Sequence, residues 1–143
     1  MSERTSIREL ERTEIEPHIA LLESEGFTPD IDQGIWLGRF VDGRLAGWLR
    51  LFLEVAWMIE DVYVLPDHRR AGLATELLTA AQEGREELWL ICDDEMVGFY
   101  EVRGYRLMPK EDFPEPLATL YRTKKEWPDG GDHNHNALRW RRP

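Results

Sequence analysis

Val62-Tyr63-Val64-Leu65-Pro66, then Asp67-His68, then Arg69-Arg70-Ala71-Gly72-Leu73-Ala74-Thr75 running into Glu76-Leu77-Leu78-Thr79-Ala80-Ala81: this stretch reads as strand, loop and helix. The β-branched and aromatic run halts at Pro66, which cannot donate to a sheet. The small residues that follow open a segment rich in Leu, Ala and Glu, good helix formers. A helix start leaves several backbone N–H groups without intrahelical partners and carries the positive end of the helix dipole. With two arginines just before it, this turn is a place for an anion, above all a phosphate. Gly72 and Ala74 let such a group approach the main chain, because little or no side chain stands in the way.

Two common phosphate loops are absent: the chain has no Gly-Lys pair, so GxxxxGK[ST] has no match, and GxGxxG is missing too. Present instead is Arg-x-x-Gly-x-Ala, preceded by the strand Ile59-Glu60-Asp61-Val62-Tyr63-Val64-Leu65-Pro66. Further on, Gly98-Phe99-Tyr100-Glu101-Val102-Arg103-Gly104-Tyr105 supplies a Phe-Tyr-x-x-x-Gly-aromatic helix end. Together and in this order the two motifs resemble the GNAT superfamily of acyl-CoA-dependent N-acyltransferases, over roughly residues 4 to 126. The resemblance implies an α/β fold of the α+β type, a mixed and twisted central sheet flanked by helices. It also implies acetyl-CoA as cosubstrate. The diphosphate would lie at Arg69, Arg70, Ala71, Gly72, Leu73, Ala74 and Thr75. The main chain of Val62, Tyr63 and Val64 would hold the pantetheine as an added strand does, with a backbone contact for the thioester oxygen.

At 143 residues, 42% hydrophobic and 32% charged, the chain has the make-up of a globular domain, read as residues 1–126 followed by a C-terminal tail, 127–143. A net charge of −10 argues against a nucleic-acid partner and accommodates a cationic substrate. The apolar stretch from Leu45 to Leu65 is broken by Arg50, Glu54, Glu60 and Asp61, so no membrane partner is expected, and the N-terminus lacks a signal-peptide core. A cytoplasmic location follows. The single cysteine, Cys92, fits a reducing compartment and reads as a small strand residue rather than a nucleophile.

The remaining elements follow from periodicity and punctuation. Ile7 to Leu10 is a first strand. Thr13 to about Ser24 reads as a helix with Ile15, Ile19 and Leu22 on its buried stripe and Phe27 beyond Gly26. Residues 28–34 are too broken for a second helix. Ile35–Val41 and Arg44–Leu53 are joined by Asp42-Gly43, a strong hairpin signal. A strand over Trp57–Leu65, a helix over Gly72–Gln82, a strand over Leu88–Cys92 and a helix over Met96–Arg103 follow. Strands at Tyr105–Met108 and Leu117–Lys125 complete the sheet.

Acylating an amine requires a neutral nitrogen and a thiolate that can leave. Glu60 and Asp61 are the candidate bases. Neighbouring strand residues face opposite ways, which predicts that only one of them points into the site. A local likeness to the Ile/Leu-Glu-Asp-x-x-Val strand of diamine acetyltransferases favours Glu60. Tyr100, matching the family's tyrosine beside the sulfur, is the candidate acid; a plain core aromatic is the competing reading. Asp93, Asp94 and Glu95 read as helix-capping acids. His133 and His135, with Asp129 and Asp132, lack the rigid setting of a metal site, and no metal is expected.

The function expected is transfer of an acetyl group from acetyl-CoA to the primary amine of a small molecule, directly within a ternary complex. A non-catalytic acyl-CoA-binding module and an acetyltransferase for a protein N-terminus or lysine are the alternatives. The tail, rich in Trp and Arg in an otherwise acidic chain, suggests a homodimer in which residues from Trp127 onward pack against the partner or across their own acceptor cleft, where Arg139, Arg141 and Arg142 have carboxylates to meet; a frayed terminus is the competing reading.

Overall fold

The computed structural model describes residues 6–27, 29–53, 55–109, 112, 114 and 136–143. The expected strand Leu117–Lys125 and the pair His133 and His135 lie outside them. The class is mixed α/β. The chain forms two compact units: Met1–Phe52 with Ile59–Glu83, and Leu53–Met58 with Gly84–Pro143.

The first unit carries β1 (Ile7–Glu9), α1 (Arg12–Ile15), α2 (Ile19–Ser24), β2 (Ile35–Val41), β3 (Arg44–Leu53), β4 (Trp57–Val64) and α3 (Leu73–Gln82), apart from the adjoining ends of β3 and β4. Its strands run in the order β1-β2-β3-β4. The helix expected from Thr13 to Ser24 is two short helices joined by a 3-10 turn, Glu16–His18, with Pro17 in it. Proline has no N–H to give to an α-helical ladder, which accounts for the change of winding. The predicted stripe holds: Ile15 and Leu22 are fully buried and Ile19 and Phe27 pack against them, together with Trp36, Trp48 and Tyr63. β2 and β3 pair antiparallel from Ile35↔Leu51 to Val41↔Arg44 across the Asp42-Gly43 turn. Both turn residues have positive φ, 51° and 80°, the geometry that matches the strands' twist.

The second unit carries β5 (Glu87–Cys92), α4 (Asp94–Glu101), β6 (Arg106–Leu107) and β7 (Asn136–Arg141), in the strand order β5-β7-β6. Here the tail reading needs correction. Residues 136–141 are a strand that pairs antiparallel with β5 along six positions, Glu87↔Arg141 to Cys92↔Asn136. Leu138 is fully buried, and Ala137 and Trp140 nearly so. The arginines expected to meet a partner are engaged within the chain: Arg141 with Glu87 at 2.8 Å, Arg142 with the Arg85 carbonyl at 2.7 Å, and Arg139 over the Trp89 ring at 5.8 Å. Among the described residues no helix is long and apolar enough to cross a membrane.

Candidate functional site

After β4 the chain makes a 3-10 turn, Pro66–His68, and then two residues with left-handed backbone, Arg70 (φ 66°) and Gly72 (φ 83°). Gly72 is the N-cap of α3 and has no side-chain capping bond. Its carbonyl accepts the amide of Glu76 at 3.1 Å, the bond that opens the helix. The amides of Leu73 and Ala74 lie before that bond, at the positive end of the dipole. A Cβ built on Gly72 meets nothing within 4 Å, so the space in front of this turn is open. Uncapped amides, an arginine-bearing approach and open space fit a diphosphate. Leu73 is buried and anchors the turn, while Arg70, Ala71 and Gly72 are exposed.

Arg69 is turned back rather than toward that space. Its Nε donates to the Val64 carbonyl at 2.8 Å and its guanidinium lies over the Tyr63 ring at 5.2 Å. Tyr63 is likewise committed inward: its hydroxyl donates to Glu25 Oε2 at 2.6 Å and its ring stacks on Trp48. That hydrogen bond to Glu25, and then burial, push its phenol above the usual range. Any contact Tyr63 makes with a cofactor is therefore through its main chain. In the first turn of α3, Glu76 is paired with the buried Arg39 of β2 at 2.6 Å.

Ahead of the cradle on β4, Glu60 and Asp61 do not part to opposite faces. Both bind one guanidinium: Arg50 Nε donates to Asp61 Oδ2 at 2.7 Å and Nη2 to Glu60 Oε1 at 3.1 Å. The reason is Asp61's φ of 58°, a left-handed residue inside an extended strand, which resets the alternation. Such a residue costs about 1–3 kcal/mol. Asp tolerates the conformation better than most, and the charged hydrogen bond to Arg50 helps offset it. Arg50 Nη1 completes the set on Gln33, with Oε1 at 2.9 Å and the main-chain oxygen at 3.3 Å. Phe52 and Trp36 flank it with ring centroids 4.9 and 5.8 Å away. The Arg50 side chain is 2% exposed and that of Asp61 5%, whereas Glu60 is 26% exposed. Of the two carboxylates, Glu60 is the one that reaches solvent. Arg50 escaped the sequence reading, which saw it only as a break in an apolar run. The available signal was an arginine in a buried strand ahead of an acidic pair that needs a counter-charge.

In the second unit, Tyr100 is buried on α4 with its ring edge-on to Phe99 and Tyr105. Burial pushes its phenol well above the usual range, so it is a proton donor at any physiological pH. Burial, reinforced by Asp93 and Asp94, pushes the half-buried Cys92 thiol up to about 12, which agrees with a structural residue. Asp93 is the N-cap of α4 but makes no side-chain capping bond; Asp94 and Glu95 lie in the first turn, and Asp94 accepts from Asn136 at 2.6 Å.

Residues 4–105 match the acetyltransferase (GNAT) family. The chain belongs to that family. No curated protein matches. Among solved structures, N-acetylglutamate synthase from Neisseria gonorrhoeae, complexed with coenzyme A and N-acetyl-glutamate, superposes with a TM-score of 0.76 at 21% identity over 95% of this chain, but the chain covers only 34% of that protein. An IAA acetyltransferase from Bacillus cereus gives 0.66 at 15% identity, covering 95% of this chain and 98% of the other. An aminoglycoside 6'-N-acetyltransferase complexed with coenzyme A gives 0.64 at 15%, over 96% and 98%. At these identities the likeness is one of fold.

Proposed function

We propose that the protein is an acetyl-CoA-dependent N-acetyltransferase that acylates a primary amine of a small molecule by direct transfer in a ternary complex. The observation that carries this is the uncapped, open turn at Gly72 in a chain of the GNAT family. In this reading the main chain of Val62, Tyr63 and Val64 holds the pantetheine, and Arg70 through Thr75 hold the diphosphate. Arg69 joins them by releasing Val64. Glu60 takes a proton from the incoming ammonium, directly or through water. The nitrogen adds to the thioester carbon, the C–N bond forms and the C–S bond breaks, and the proton that the acylated nitrogen sheds restores the Tyr100 phenol once that phenol has given its own to sulfur. Tyr100 protonates the departing thiolate. Asp61 is buried against Arg50 and serves the site as the anchor of that guanidinium rather than as the base. The single Cys92 suits a reducing compartment such as the cytoplasm.

The test is release of free thiol from acetyl-CoA in the presence of a panel of small amines, run beside calorimetry with CoA. Activity with at least one amine supports the proposal. Tight CoA binding without thiol release for any amine or lysine peptide would make the protein an acyl-CoA-binding module instead.

A further inference from the structure

The carboxamide of Asn136 bears on how Tyr100 is held, given the reading that Tyr100 is the acid for the thiolate. Asn136 opens β7 and stands opposite Cys92 in the last pair of the β5–β7 ladder. Its Nδ2 donates to the Cys92 carbonyl at 3.2 Å and to Asp94 Oδ1 at 2.6 Å. One NH2 group thus spans Asp93, gripping the chain where β5 ends and again where α4 begins. Asp93, the N-cap, makes no side-chain capping bond of its own. Asn136 fixes from outside the path that a capping side chain fixes from within.

That junction sets where the Tyr100 phenol stands. Tyr100 lies seven residues beyond Asp93, about two turns, and so comes up on the same side of α4. Helical side chains lean toward the N-terminus, which carries the long phenol back over the turn before it, toward the end of β5. Burial first, and then the Cys92 thiol, raise that phenol, which places its hydroxyl within electrostatic reach of the residue whose carbonyl Asn136 holds. The other end of the helix is fixed locally, with the Tyr100 carbonyl accepting the amides of Arg103 and Tyr105 at 3.0 and 3.1 Å. Its start is held by a strand that comes 42 residues after Asp94.

We propose that Asn136 is a positioning residue for the transfer step: by tying Cys92 to Asp94 it sets the start of α4 and, through it, the place of the Tyr100 hydroxyl against the departing sulfur. Asn136 touches neither substrate nor cosubstrate. The last strand of the chain thereby supplies part of the geometry of the site as well as the cover for β5.

The test is a double-mutant cycle on the full chain, read as kcat with acetyl-CoA and an accepted amine, beside calorimetry with CoA. A misplacement of about 1 Å can cost up to a hundredfold, so Asn136→Ala should lower kcat by at least about fivefold with CoA affinity unchanged. In a Tyr100→Phe background the same substitution should lower kcat by less than about twofold, because the group it positions is already gone. Asp94→Ala removes the other end of the bond, leaves β7 untouched and should behave alike; it carries the cycle if Asn136→Ala fails to fold. Asp94→Asn keeps an acceptor oxygen and should retain most of the parent's kcat. A merely structural role lowers kcat by the same factor in both backgrounds, and that result overturns the proposal. So does the parent's kcat in a folded variant of either kind, or an Asp94→Asn that falls as far as Asp94→Ala. Tyr100→Phe at the parent's rate overturns it too, while leaving the acetyltransferase reading intact. A parent that acylates no amine overturns both.

Discussion

Gly72 separates two roles that glycine usually combines, and paired substitutions can tell them apart. Its φ of 83° is in the left-handed region, and an added Cβ meets nothing within 4 Å. Gly72→Ala therefore carries no clash in the free protein, only the backbone cost of a left-handed L-residue, about 1–2 kcal/mol. For a chain of this size that is a drop of roughly 3–6 °C in Tm. Gly72→Asn should recover most of that loss, since Asn enters this region readily. Both variants put atoms where the cradle reading has the diphosphate approach the main chain, and Asn puts more of them there. Thermal melts with and without CoA, beside calorimetry, give the readout. The expected order of stability is Gly, then Asn, then Ala. The expected order of CoA affinity is Gly, then Ala, then Asn, with Asn at least about a hundredfold weaker, as for loss of two charge-assisted bonds of ~1.5 kcal/mol each. If Gly72→Asn binds CoA as tightly as the parent, the diphosphate does not sit at this turn.

Three other outcomes can be checked. Tyr100→Phe should lower kcat about a hundredfold, the scale of one general acid, with CoA affinity unchanged; because burial raises its phenol, the parent's activity should show no fall near pH 10 from loss of this proton. Leu138→Ala should destabilise the protein by about 2–5 kcal/mol in urea unfolding, as for a fully buried leucine; a change under about 0.5 kcal/mol, typical of surface sites, would mean that β7 is not core. Cys92, with its thiol at about 12, should react with iodoacetamide at pH 8. That reaction should be roughly fifty- to a hundredfold slower than with a free thiol, since its much lower thiolate fraction outweighs the greater nucleophilicity of a more basic sulfur, and it should speed up as pH rises. A rate equal to glutathione's would show that the thiol is not held protonated.

What could be read in the chain was local. Asp42-Gly43 announces its hairpin because both residues accept positive φ, and the Gly72 turn announces itself because proline, arginine and small residues fall in order before a helical run. What could not be read depended on residues far apart. Arg50, on β3, acquires its meaning from Gln33 ahead of β2 and from Glu60 and Asp61 on β4. The failure of alternation at Asp61 depends on one backbone angle that nothing in Ile59-Glu60-Asp61-Val62 announces. β7 reads as tail from the sequence because its partner strand lies 44 to 54 residues earlier and its approach is Gly- and Asn-rich. The period-2 alternation of Leu138 and Trp140 with Arg139 and Arg141 was the signal to weigh against that context.

The place of β7 has a bearing on how the chain is made. It lies between β5 and β6, yet it is the last of the three to be synthesised. Until residues 136–141 have left the ribosome, β5 lacks this neighbour and Trp89 and Leu90 have no cover from that side. An apolar strand with an open edge is a template for pairing with other chains. Closing the gap means joining segments some 54 residues apart, a slow and long-range step. The second unit is thus most exposed to misassembly in the interval before β7 emerges. A stop codon just before β7 should yield insoluble protein rather than a trimmed, soluble one.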